Sequence, residues 1–233
     1  MKKIILLLCI TCTLKTSFAQ VEGILTYQNN YDDKIGTGQV TTTIYESKSK
    51  ARIESINAQT KSAIGAPSTK SQNVILFDFD KSQETHLSAE RNTAIVTGFT
   101  MTLMEQQMKS MGTDYVVQNL GAEKVGTYNC THYVMTSSSS KYKNLPPGKK
   151  EFWITNDLGT ANLFFVGQYL YYPIGCYAAK KLTDAGATGV VVKWQIMDPI
   201  SKQPNICTLI SFQKKSLPAS TFSPPSGYTV MQR

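Results

Sequence analysis

The stretch Val-Ile-Leu-Phe-Asp-Phe-Asp at residues 74–80 decides the class of fold, because apolar and acidic side chains alternate along it. Side chains two positions apart in a strand lie on the same face, so residues 75, 77 and 79 would face a core while the aspartates face solvent. The following Asp-Lys-Ser-Gln at residues 80–83 suits a turn into a second strand at residues 84–89. The pattern predicts a hairpin in a half-buried sheet.

Similar short stretches, rich in Thr, Ile, Val and Tyr, run along most of the chain. Their connections are of hairpin length and cannot make parallel crossovers, so neighbouring strands should be antiparallel. We therefore expect a mainly β (α+β) fold, a large antiparallel sheet of about nine or more strands with two helices. The further predicted strands are residues 24–31, 39–46, 50–56, 115–120, 128–136, 151–155, 189–197 and 206–214.

Two segments break the strand pattern and are predicted to be helices. In residues 97–111 the methionines fall three or four positions apart and form one stripe, and Gly112 is placed to end the helix. Residues 158–172 are apolar and aromatic, and we expect that helix to stop at Pro173.

The first nineteen residues have the pattern of a secretory signal peptide, with a basic head, a short apolar run and the ending Ser17-Phe18-Ala19. Cys9 and Cys12 lack the small preceding residue that lipid attachment requires, so cleavage without acylation is expected. We expect residues 20–233 to form a single domain that is exported to the periplasm, the cell surface or the medium, as a soluble or peripheral protein.

The charge of the expected mature chain argues against nucleic acid as a partner. Cleavage removes three of the 24 basic residues and none of the 16 acidic ones, which leaves a net charge of +5. The basic residues are spread along the chain and form no dense cluster. No apolar run after Gln20 approaches the roughly 20 residues of a transmembrane helix.

The order of several short motifs resembles an exported bacterial family of unknown function, itself similar to the LolA/LolB superfamily of lipoprotein carriers. The resemblance implies a curved antiparallel half-barrel, covered by the two helices over an apolar cavity. In the carriers this cavity holds the acyl chains of lipoproteins, but their working residues have no matching positions in this sequence. The motifs that carry the resemblance are residues 22–27 (Glu-Gly-Ile-Leu-Thr-Tyr), 50–54 (Lys-Ala-Arg-Ile-Glu), 126–134, 151–155 (Glu-Phe-Trp-Ile-Thr) and 222–228.

The candidate ligand cavity follows from placing both predicted helices over the sheet. The methionine stripe would form an adaptable apolar wall, because thioethers repack around varied ligands. The aromatic segment would form the rim of the cavity. Ordinary core packing is the alternative for both groups. The candidate cavity residues are Met101, Met104, Met108, Phe164, Phe165 and Tyr169.

These observations favour a non-catalytic envelope protein that binds an apolar ligand, either a lipid or an acylated protein segment. The alternative is a periplasmic or surface module for protein interaction or sensing, with an envelope protein as partner and no small ligand. A hydrolase is a third hypothesis. The sequence has no Gly-x-Ser-x-Gly, His-Glu-x-x-His or phosphate-binding glycine motif, so we expect neither an enzyme nor a cofactor.

Three cysteines follow the signal segment, and in an oxidising compartment they allow one disulfide. We favour Cys130 with Cys207, because both lie on predicted strands whereas Cys176 follows a Pro-Ile-Gly break. Cys130 also shares a strand face with His132, but a zinc site needs more ligands than this pair supplies. No metal site is therefore expected.

Overall fold

The computed structural model describes residues 21–33, 36–62, 69–98, 113–139, 148–161, 174–197 and 204–233, together with Gln106 and Ser110. Within these residues the chain forms one open sheet of twelve strands, and a single α-helix has defined bounds. The elements are β1 (Gly23–Asp33), β2 (Gly36–Glu46), β3 (Lys50–Ser62), β4 (Thr69–Asp78), β5 (Gln83–Ser88), β6 (Thr93–Gly98), β7 (Thr113–Val125), β8 (Tyr128–Ser139), β9 (Gly148–Thr155), α1 (Ile174–Asp184), β10 (Val190–Met197), β11 (Pro204–Lys214), a 3-10 turn (Ala219–Phe222) and β12 (Thr229–Gln232).

The strands follow the order β12-β6-β5-β4-β3-β2-β1-β11-β10-β9-β8-β7 across the sheet. Strands β1 to β6 are consecutive neighbours, and so are β7 to β11. The two halves meet where β1 pairs with β11. Neighbours are antiparallel except β12 and β6, which are parallel.

The alternation predicted at residues 74–80 is present in β4 and defines the face of the sheet that carries the core. Ile75 and Phe77 are buried. Ile75 lies in one row with Leu25, Ile44 and Ile53 of the three preceding strands, all buried. We call the face that carries this row the inner face and the opposite one the outer face.

The C-terminal segment returns across the outer face of the first half of the sheet. The Lys215 amide donates to the Glu22 carbonyl at 3.2 Å, and Arg52 Nη1 donates to the Thr221 carbonyl at 3.4 Å. On this face Leu76 and Ala94 are buried. The chain then adds β12 beside β6 as the edge of the sheet.

The mainly β class predicted from the sequence is correct, and twelve strands agree with the expected nine or more, but the predicted half-barrel covered by two helices is wrong. The described residues form an open sheet of twelve strands, with one helix of defined bounds. Thr97 and Gly98, expected to begin the first helix, belong to β6. Of the remaining residues of that predicted helix, only Gln106 and Ser110 are described, and their backbone is helical.

The second predicted helix, residues 158–172, is not helical at its start, and residues 162–172 lie outside the described part of the chain. Leu158 lies in a turn closed by the Gly159 amide, which donates to the Asn156 carbonyl at 3.0 Å, and the Val21 amide donates to the Thr160 carbonyl at 2.8 Å. Helix α1 was not predicted and begins directly after Pro173. Proline is unfavourable inside a helix but suits its start, where a missing N–H has no helical partner. No helix in the described part of the chain is long and apolar enough to cross a bilayer.

Candidate functional site

The candidate site is a lysine set among apolar side chains on the inner face. Val117, Met135, Lys150 and Ile196 lie side by side across β7, β8, β9 and β10. Met135 is fully buried, and Val117 and Ile196 pack against the core. Lys150 is the one ionisable side chain in this row.

The ammonium of Lys150 contacts a buried tyrosine. Its Nζ donates to Tyr115 Oη at 3.3 Å and lies 4.9 Å from the centre of the Tyr115 ring. Burial lowers the pKa of Lys150 to about 8, since removal of water disfavours the charged form. Burial likewise raises the pKa of Tyr115 to about 12, with a further contribution from Tyr177. The tyrosine hydroxyl therefore keeps its proton and can donate while it accepts from the ammonium.

No carboxylate among the described residues lies within salt-bridge distance of Lys150. Its neighbour Lys149, on the outer face, is 2.9 Å from Glu151, and Lys181 is 2.9 Å from Asp114. Burial is the sole cause of the lowered pKa of Lys150, with no opposing carboxylate. Lys150 is thus a largely desolvated cation without a counter-charge in the described part of the protein.

Helix α1 fixes the position of Tyr115 from the other side. The rings of Tyr115 and Tyr177 are 5.9 Å apart, and Tyr177 Oη donates to Asp114 Oδ1 at 3.0 Å. A hydrogen bond from Lys181 is the main cause that lowers the pKa of Asp114. Leu182 completes the contact as a fully buried side chain. Tyr115 is therefore held between the helix and the Lys150 ammonium.

A second polar group lies on the outer face around His132. Its Nδ1 is 2.9 Å from Glu123 and its Nε2 is 3.0 Å from Glu151, so each ring nitrogen has a carboxylate partner. Burial alone would raise the pKa of Glu151, but its bonds to Lys149 and His132 hold the value below the ordinary one. The His132 ring also stacks on Trp153, with centroids 4.3 Å apart. Among the described residues no group of His, Cys, Asp or Glu is arranged to hold a metal ion.

Two open pockets lie away from Lys150. One, of about 250 Å³, is lined by Val21, Leu158 and Phe212 with the polar Glu22 and Lys214 at its edge. The other, of about 330 Å³, lies on the outer face beside β11 and is lined by Gln28, Asn30, Pro204, Ile206, Thr208 and Ile210.

The residues predicted to line the ligand cavity lie outside the described part of the chain, so the cavity stays a prediction. They are Met101, Met104, Met108, Phe164, Phe165 and Tyr169.

The predicted disulfide is wrong, because Cys130 and Cys207 are both free and buried. Cys130 lies on the outer face of β8 and Cys207 on the inner face of β11, with β9 and β10 between them. Strands are spaced by about 4.8 Å, so three strand spacings alone separate the pair by roughly 14 Å, already twice the reach of a disulfide. Burial raises the pKa of Cys207 to about 12, which leaves it an unreactive thiol.

Sequence reasoning missed Lys150 because the predicted strands end at residue 136 and begin again at residue 151, which leaves residues 137–150 as a connection. The available signal was its position two residues before Phe152, in the predicted strand at residues 151–155. Extending that strand by one residue puts the lysine on the same face as Phe152, which is fully buried. The adjacent Lys149 made Lys150 look like a surface residue, since two consecutive lysines usually indicate a solvated surface.

The geometry defines a class of protein with one large, mainly antiparallel sheet and a cation set into its apolar face. Residues 22–228 match the family described as "Domain of unknown function (DUF4412)", and the chain belongs to that family. The membership in a family of unknown function that was predicted from the motif order is therefore confirmed.

Comparison with curated proteins gives no match. Among solved structures, the chain is similar to an exported protein with a YmcC-like fold from Bacteroides fragilis NCTC 9343. The two are 11% identical, the match covers 84% of this chain and 98% of the other, and the TM-score is 0.28, too low to transfer structural detail. The resemblance to the LolA/LolB carriers is not confirmed by these matches and stays a prediction.

Proposed function

We propose that this protein is a non-catalytic protein of the bacterial envelope that binds an apolar ligand, such as a lipid or an acylated protein segment, on its inner face. Export is part of the proposal and depends on the signal pattern of residues 1–19.

The observation that carries the proposal is a continuous apolar strip across the second half of the sheet. Tyr133, Phe152, Trp194 and Cys207 lie side by side on the inner face of β8, β9, β10 and β11, and all are buried. Ligand sites are typically lined by aromatic and aliphatic side chains with a few polar groups that orient the ligand. The strip and the adjacent Lys150 have this composition.

The two tryptophans allow a direct test, because they lie on opposite faces of the sheet. Trp194 is in the inner strip, and Trp153 is on the outer face between His132 and Lys193. Trp153→Phe leaves the inner tryptophan as the fluorophore, and Trp194→Phe leaves the outer one. A monoacylglycerol brominated on its acyl chain, which is neutral, serves as the probe.

We expect the brominated chain to quench the fluorescence of Trp153→Phe protein and to leave that of Trp194→Phe protein almost unchanged. Native mass spectrometry of protein purified from its own envelope should then show an extractable lipid. Absence of quenching in both variants would contradict the proposal, as would equal quenching in both.

A protein-interaction module is the second candidate, favoured by apolar side chains on an exposed edge. Strand β7 is at the end of the sheet, and its Val116 and Leu120 are 66% and 51% exposed. A free edge strand can pair with an extended segment of a partner. Loss of a co-purified envelope protein on Val116→Lys, together with no quenching in the tryptophan test, would favour this candidate.

A further inference from the structure

The half-buried ammonium of Lys150 on the inner face restricts the chemical class of the proposed ligand. A surface lysine without a carboxylate is solvated, but Lys150 lies between Met135 and Ile196 and its pKa is lowered by burial. Burying an unpaired charge costs free energy, and an anion brought to the site would offset that cost.

The site also supplies a second hydrogen-bond donor. The Tyr115 oxygen accepts from Lys150, and its hydroxyl proton stays available because Tyr115 does not ionise in the physiological range. An ammonium and a hydroxyl 3.3 Å apart can both donate to one carboxylate or phosphate.

The apolar strip lies next to Lys150 and Tyr115, two residues further along strand β9. Phe152 is two residues after Lys150 on β9, so it projects from the same face, and Trp194 is its neighbour on β10. Both aromatic side chains are buried, so a chain attached to an anion at Lys150 would lie beside them on Val117 and Ile196, which are half-buried and share the row of Lys150.

We infer that the ligand is an anionic amphiphile whose carboxylate or phosphate binds the Lys150 ammonium and the Tyr115 hydroxyl, while its apolar chain lies on the half-buried Val117 and Ile196. This inference rests on the proposed function, since it names the class of ligand for the same inner face.

The test compares three ligands that share one oleyl chain, in titrations of the full mature protein below the aggregation concentration of each ligand. Oleate and oleyl phosphate carry the two anionic head groups, and oleyl alcohol carries none. Lys150→Met keeps the length of the side chain and removes its charge. Lys149→Met removes a charge from the adjacent residue on the outer face and is the matched control.

We expect the wild-type protein to bind at least one of the anions roughly tenfold or more tightly than the alcohol, the range of a charge-assisted hydrogen bond. The variant Lys150→Met should bind all three ligands alike, whereas Lys149→Met should keep the wild-type preference. Lys150→Arg, which retains the positive charge, should keep most of the preference for the anions over the alcohol. Acetate and inorganic phosphate at the same concentrations should not displace oleate.

Each contrary result has a separate meaning. Equal binding of oleate and oleyl alcohol to wild-type protein, or a preference that survives Lys150→Met, overturns the anionic head group but leaves apolar binding standing. Displacement by acetate or inorganic phosphate would show a site for free anions and overturn the amphiphile. Binding of none of the oleyl ligands overturns the proposed function together with the inference.

A measurement on the wild-type protein decides the question if Lys150→Met does not fold. The 13Cε signal of Lys150, assigned by its loss in Lys150→Arg, should shift on addition of an oleyl anion and not on addition of oleyl alcohol. An unshifted signal at saturating oleate and oleyl phosphate would overturn the inference.

Discussion

The protonation of Lys150 links the candidate site to the stability of the fold. Its pKa of about 8 lies below the ordinary value of 10.5, so between these values the unfolded chain binds more protons than the folded one. Stability therefore rises with pH across this window. The unfavourable contribution of the charge is full below pH 8 and is lost above pH 10.5.

Lys150→Met should therefore stabilise the ligand-free protein at pH 7, by roughly 1 to 3 kcal/mol. The gain should shrink at pH 10, where wild-type Lys150 is neutral in the folded state. Urea unfolding of the wild-type and Lys150→Met proteins at both pH values measures this difference in the free energy of unfolding. Lys149→Met, which breaks an ion pair with Glu151, should give no such gain. A Lys150→Met protein that is less stable than wild type at both pH values would refute this prediction.

Besides the ring contact between Tyr115 and Tyr177, one exposed carboxylate of β7 makes two bonds to helix α1. Asp114 is 63% exposed, accepts from Tyr177 at 3.0 Å and pairs with Lys181 at 2.9 Å. An exposed ion pair contributes little, whereas the hydroxyl of the buried Tyr177 loses a partner when the carboxylate is removed.

We expect Asp114→Ala to loosen helix α1 without unfolding the sheet, with a loss of about 1 kcal/mol. Amide hydrogen exchange should accelerate in Ile174–Asp184, while β8 and β9 keep their protection. Lys180→Ala, which breaks an exposed pair with Asp184 within the same helix, is the control and should have a smaller effect. Equal acceleration in both variants would show that Asp114 does not attach the helix.

The local sequence pattern predicted the strands well where apolar and polar side chains alternate. It failed where one residue type is compatible with two different local structures. Residues 74–80 alternate clearly, and β4 and β5 form the predicted hairpin. Pro173 is compatible with either end of a helix, so the expectation that it ends one gave no sign of helix α1 directly after it. Lys150 was not recognised because the register of its strand decides whether a lysine faces the core or the solvent. A position beside a predicted connection does not fix that register.

Strand β12 closes one edge of the molecule, although its four residues are exposed. It pairs in parallel with β6, and hydrogen bonds fix both ends: the Thr229 amide donates to the Asn92 carbonyl just before β6 at 2.8 Å, and the Arg233 amide just after β12 donates to the Val96 carbonyl at 3.0 Å. Its role is therefore to cover an edge and not to build the core.

Deletion of residues 229–233 should reduce the free energy of unfolding by only about 1 to 2 kcal/mol and make the protein self-associate through the uncovered β6. Light scattering against concentration measures the association. The double variant Val230→Ser and Met231→Ser keeps the strand and removes its exposed apolar side chains, so it should remain monodisperse if the edge is the cause. A truncated protein that stays monodisperse would contradict this role of β12.

The pairings between strands far apart in the chain could not be predicted from the sequence, for a physical reason. The strand pattern predicts that β1 and β11 exist, but register between strands far apart in the chain depends on every element between them. The same limit explains the wrong disulfide, because two cysteines on strands of one sheet are close only if those strands are neighbours and the side chains share a face. Cys130 and Cys207 meet neither condition.

The pairing of β1 with β11 has a consequence for the order of folding. Hairpins within β1 to β6 and within β7 to β9 close short loops, whereas the seam between β1 and β11 brings Gly23 beside Lys214, from opposite ends of the sheet-forming chain. Closing a long loop costs entropy before its contacts compensate, so the seam should form late. Until then the eleven residues of β1 remain an unpaired edge. The partly folded chain is thus most prone to aggregation at the strand that becomes the centre of the finished sheet.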